Sequence, residues 1–309
     1  MTLSAPVPAG LTARQAVAAF LAFAIAYFLS ALVRAVTATL APVFSQELGL
    51  SAAQLGLLAG AYFLGFALMQ LPLGTALDRW GAKRVLMVFL TVAVLGCAAF
   101  GQARSLSGLL VARFFVGAGM SACLMAALTC FRHHYSLLNQ LRANSWMLMT
   151  GSLGMLASTL PVQWLQPSLG WRGMFTVVAV LLALSVVLIG WWVPADSTRD
   201  DRADQAAAGG YRQVFLHPAF LRVAPLGFFV YGGMVAMQSL WIGPWLTQVG
   251  GLSAQAAAQG LFAVNLAMLV AFLCWGSAMP RLMRAGWAGE GVIAATWPLG
   301  VGCLALLVW

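Results

Sequence analysis

The chain has 309 residues, of which 62% are hydrophobic and 7% charged, where an ordinary soluble domain has roughly half and a quarter. That balance excludes a water-soluble globular fold and describes a polytopic membrane protein. The net charge of +9 is spread along the chain without a contiguous basic patch, so a nucleic-acid partner is excluded as well.

A helix needs about 20 mostly apolar residues to cross roughly 30 Å of hydrocarbon. Nine segments approach that requirement: 16–41, 55–73, 85–103, 107–130, 145–165, 174–193, 224–246, 257–275 and 291–309. The first is too long for a cleaved signal core and carries Arg34, so a retained helix is expected. Within it Tyr27, Ser30, Arg34 and Thr37 recur at steps of three, four and three, which stacks them on one helical face. A guanidinium at the bilayer centre is disfavoured by about 2.5–3.5 kcal/mol on insertion scales, so such a residue marks a functional site by default. These four residues are expected to face a wet cavity and bind the solute there. The competing expectation is snorkelling, since Pro42 follows Arg34 by only about 12 Å of helix. Side chains lean toward the helix N-terminus, here away from the outer interface, which favours the cavity.

The second span leads into "GTALDRWGAKRV", Gly74 to Val85, where Gly74, Asp78, Arg79, Gly81, Lys83 and Arg84 place two glycines beside a charge cluster. The fourth span contains "LVARFFVGAGMS", with Arg113 only a few residues inside, where a side chain leaning toward its helix N-terminus points back to the outer interface. The sixth opens with "WRGMF" at 171–175, expected to serve packing and orientation. Pro194 to His217 is the one long polar stretch and holds Asp196, Asp200, Asp201 and Asp204, four of the seven acids. It is expected to be a cytoplasmic linker between 1–193 and 218–309. The seventh span offers Tyr231, Gln238, Trp241 and Trp245 along one face, and the eighth Asn265; Gln238 and Asn265 are expected in polar surroundings. His133 and His134 read as solvated loop residues.

The chain also resembles itself. A shift of 202 residues lays "APVFSQELGLSA" (41–52) on "GPWLTQVGGLSA" (243–254) and continues without a gap to Arg79 and Arg281, with twelve identities in the thirty-eight positions 42–79. A repeat that begins after six spans keeps its orientation, giving parallel halves with a solute site between them near the midplane. On that count the second half, 218–309, is expected to be incomplete, with three helices. Placing the N-terminus inside assigns twelve basic residues to the inner side and only Arg104 and Arg172 to the outer loops, the bias of a cytoplasmic N-terminus.

Several of these motifs resemble the major facilitator superfamily. "GTALDRWGAKRV" is similar to its signature G-x-x-x-D-R-x-G-x-[KR]-[KR] between helices two and three, which implies that Gly74, Asp78, Arg79, Gly81, Lys83 and Arg84 latch the inner side. "LVARFFVGAGMS" is similar to its fourth-helix pattern, which implies a coupling role for Arg113. "LVRAVTATLAP" resembles the first helix of the organic-anion and organophosphate branch, where an arginine eight residues before a proline binds the anion. The seventh-helix position that carries a second arginine in phosphate transporters is Ala236 here, so the resemblance points to a carboxylate rather than a phosphate ester. "GSLGMLASTLP" (151–161) lacks the Gly-Pro-x-x-Gly-Gly core of drug-proton antiporters.

The resulting expectation is an all-α membrane protein of the major facilitator fold. It would be a secondary transporter in the inner membrane that moves a small anionic solute by alternating access. It needs no cofactor or metal, works as a monomer in the lipid bilayer, and has a proton as candidate coupling ion. The rival readings are a proton-coupled exporter of neutral or cationic compounds and a non-transporting sensor or assembly protein. No nucleophile with a base, metal-ligand set or phosphate loop suggests an enzyme. The five cysteines lack metal or redox spacing and read as small core residues.

Overall fold

The computed structural model describes residues 11–194, 215–237 and 241–284, with a few short stretches up to 302. Most of the linker, Gln238 and most of the predicted ninth span lie outside the described residues. By contacts the chain forms two compact units, Met1–Leu266 and Ala267–Trp309.

The first unit is a bundle of long helices: α1 (Ala13–Leu48), α2 (Ala52–Trp80), α3 (Ala82–Gln102), α4 (Leu106–Met120), α5 (Ala122–His134), α6 (Leu137–Ala157) and α7 (Leu160–Trp192). Local sequence sets the ends. Thr12 with Gln15 and Ser51 with Gln54 form capping boxes at the starts of α1 and α2, satisfying orphan N–H groups reciprocally. Gly49 closes α1 in the left-handed conformation at φ 64°, which glycine adopts without a Cβ penalty. Gly81, at φ 78°, both ends α2 and opens α3.

Six helices among the described residues are long and apolar enough to span a membrane: α1, α2, α3, α4 with α5 as one 29-residue rod, α7 and Pro218–Ala236. The chain is therefore a multi-pass membrane protein. Its surface agrees. Leu57, Leu64, Leu68 and Leu71 of α2 and Val177, Val180, Leu184 and Val187 of α7 are exposed, presenting apolar faces to lipid. Phe23, Val33, Leu40 and Phe44 of α1 pack inward with Leu58, Leu86, Leu90, Phe100 and Phe175.

Three boundaries differ from the sequence reading. Helix α1 continues seven residues past position 41, through Pro42, a residue that membrane helices tolerate in their interior. The predicted fifth span is shifted: α6 starts at Leu137, and the chain turns at Ser158 and Thr159 before α7. In turn, α7 is two helical pieces joined at Gly170 (φ 62°, ψ 170°), so the sixth span opens at Trp171.

The repeat is visible in the backbone. Gly251, like Gly49, has φ 64°. The Ser253 hydroxyl accepts from Ala256 N at 3.2 Å, as Ser51 does from Gln54 N at 3.3 Å. Both pairs are related by the 202-residue shift, and each starts a long helix, α2 and Ala254–Arg284. The seventh span stays helical but its α ladder is not regular: Pro218–Leu226 passes into a π-helical turn, Gly227–Tyr231, then Gly232–Ala236, and Ile242–Gln248 is helical farther on. Pro225 and the pair Gly232–Gly233 lie in this stretch, residues that weaken a regular ladder.

Candidate solute site

The middle of α1 depends on how closely its neighbours approach. Helices α2 and α4 meet where a Cβ on Gly65 would strike the Phe114 carbonyl and one on Gly117 the Tyr62 carbonyl; small residues of this kind let membrane helices touch backbone to backbone. That contact fixes Tyr62 beside α4. On the other side, Gly151 of α6 leaves the space that the Tyr27 ring occupies.

Because α1 runs to Leu48, Arg34 lies about 31 Å from its first residue and about 21 Å from its last, well inside the helix. The four residues of the polar stripe are together on the bundle's interior side: Ser30 and Thr37 are buried, while Tyr27 and Arg34 are partly buried. The Arg34 guanidinium is within electrostatic reach of the hydroxyls of Tyr27, Tyr62 and Tyr231. Its Nε is buried without a hydrogen-bond partner, as are Thr37 Oγ1 and Tyr62 OH. The two described carboxylates do not serve it: Glu47 accepts from Trp171 Nε1 at 2.6 Å and pairs with Arg172, and Asp78 is exposed at the end of α2.

Arg113 does not reach the outer interface. It is 2% exposed, with Nη1 donating to Val33 O at 3.1 Å and Nη2 to Arg34 O at 3.2 Å. Its guanidinium carbon is 4.6 Å from the centre of the Tyr62 ring. Tyr62 is the site residue that sequence reading missed. It sits in a run of Ala, Leu, Phe and Gly with no polar stripe to flag it, and only the α2–α4 contact reveals it.

The motif residues Gly74, Asp78, Arg79 and Arg84 are exposed around the turn made by Gly81. Lys83 Nζ donates to Val193 O at 2.8 Å, a cation on the last carbonyls of α7. Asn265 is buried, its amide donating to Leu261 O of its own helix at 2.9 Å. Tyr231, Trp241 and Trp245 are exposed. Motif "WRGMF" builds a clamp at the C-terminal end of α1: Arg172 pairs with Glu47, donates to Ala103 O at 3.3 Å and lies 4.1 Å over the Trp171 ring, joining α1, α3 and α7.

The chain belongs to the Major Facilitator Superfamily, whose family model matches residues 23–309. It is 32% identical over 155 residues to the cis,cis-muconate transport protein of Acinetobacter baylyi, covering 48% of this chain and 36% of that one. It is 29% identical over 174 residues to the gallate transporter of Pseudomonas putida, covering 56% and 38%. The fold matches the fucose:proton symporter of Escherichia coli at a TM-score of 0.65 and 19% identity, covering 89% of this chain and 73% of that one. The chain thus spans well under half the length of these two transporters of known sequence similarity.

Proposed function

We propose that the chain belongs to a secondary active transporter for small organic carboxylates, working by alternating access in the inner membrane with its N-terminus in the cytoplasm. The single observation behind this reading is Arg34: a cation deep in a membrane helix, ringed by phenols, with no described carboxylate beside it. An unpaired buried charge is costly, and a solute carboxylate supplies the missing partner through a charge-assisted, bidentate contact. Tyr27, Ser30 and Thr37 would line the same cavity, with Gln238 and Asn265 contributing from the second repeat. Residues 1–193 and 218–309 would be the two halves, joined by 194–217. Gly74, Asp78, Arg79, Gly81, Lys83 and Arg84 would close the inner side. The names of the muconate and gallate transporters support the carboxylate class. A proton is the candidate coupling ion.

Counterflow into proteoliposomes tests the reading, with labelled gallate and cis,cis-muconate set against a neutral sugar and a quaternary ammonium ion. Saturable uptake of a carboxylate that Arg34→Gln eliminates is the expected result. Uptake confined to the sugar or the cation overturns it.

A further inference from the structure

Arg113 is a fully buried charge whose interactions run to backbone rather than to any described carboxylate. The carbonyls it holds, Val33 O and Arg34 O, are consecutive, and in an α-helix each already accepts from the N–H four residues on. The fork therefore takes the second lone pair of both. Two parallel bonds from one rigid plane fix the rotation and the depth of α1 at the peptide that carries Arg34. The face of the same plane lies 4.6 Å from the Tyr62 ring, so α2 backs the contact. A guanidinium does not release its proton in a protein.

We propose that Arg113 is a positioning residue: it aims Arg34 into the cavity by clamping α1, and neither contacts the solute nor carries the coupling charge. This rests on the reading of Arg34 as the cavity cation. Lysine keeps the charge at 113 but loses the fork, because an ammonium is a single point donor.

The test reads the aim of residue 34 directly. In a chain with Cys274→Ser and Cys303→Ser, Arg34→Cys is exposed to a negatively charged methanethiosulfonate in proteoliposomes, with and without Arg113→Lys. With Arg113 intact the new thiol reacts readily. Arg113→Lys slows that reaction about tenfold, the equivalent of one lost charge-assisted bond, while the thermal midpoint in detergent moves little. Should the lysine variant fail to fold, Tyr62→Leu, which removes the platform, slows labelling in the same direction, and Tyr62→Phe does not. Rapid labelling that neither substitution changes overturns the positioning role. A thiol that stays unreactive with Arg113 intact overturns the cavity reading itself.

Discussion

Two arginine clusters brace α1, and they are built in opposite ways. At the C-terminal end of α1, the outer of the two along the helix, Arg172 has a carboxylate, a backbone carbonyl and an indole face, and Glu47 accepts from both Trp171 and Arg172. In the middle, Arg34 has no described carboxylate beside it, and Arg34 Nε, Thr37 Oγ1 and Tyr62 OH are buried without partners. The outer cluster has everything it needs within the chain, so its work is to join α1, α3 and α7. The middle cluster is complete only when something else supplies an acceptor. Polar groups left unsatisfied in a buried place are where a ligand or ordered water is expected. A positive charge is thus a poor guide to function until its partners are counted.

That contrast can be broken at four points of decreasing effect. Removing the cation with Arg34→Gln is expected to lower carboxylate affinity about 100-fold, toward the lower end of the range for truncating a buried charged contact; equilibrium binding of gallate or muconate to the folded variant measures it. Supplying an internal acceptor instead, with Ser30→Asp one turn from Arg34, makes the middle cluster resemble the outer one. Affinity should then fall about tenfold at neutral pH, the scale of one charged hydrogen bond. The loss should reverse as the pH drops and the new carboxyl protonates, so a pH series of binding constants checks the sign. Gly117→Val forces α2 from α4 and disturbs Tyr62 and Arg113 together. An overpacking cost of about 1–3 kcal/mol is expected, seen as faster thermal inactivation along with weaker binding. Smallest is Glu47→Gln at the solvated outer clamp: a slight drop in melting temperature at low salt that shrinks at high salt, with binding unchanged.

Much of this architecture was legible in the sequence because hydrocarbon forbids so much. The spans, Arg34 and its polar stripe stand out against apolar neighbours, and of the shifted identities Gly49 and Gly251 prove to share a left-handed backbone and Ser51 and Ser253 the same helix-start hydrogen bond. What was not legible depends on contacts between helices. Tyr62 looks like any aromatic of an apolar run until Gly117 brings α4 onto it. The direction of Arg113 follows from its acceptors on α1, 80 residues away, whereas its own helix suggested the interface. The extension of α1 through Pro42 was hidden because a proline usually announces an end, and here a membrane helix absorbs it.

The repeated turn at Gly49 and Gly251 has one more consequence. Both repeats keep the same left-handed glycine, yet the residue 202 positions after Arg34 is Ala236, so the repeat preserves the turn of the scaffold and not its electrostatics. On the proposed reading a carboxylate would dock with its head toward the first repeat and its hydrocarbon tail toward Tyr231, Trp241 and Trp245. Discrimination among cargoes of equal charge would then reside in the second copy, where sequence drift can retune the tail pocket without disturbing the anchor.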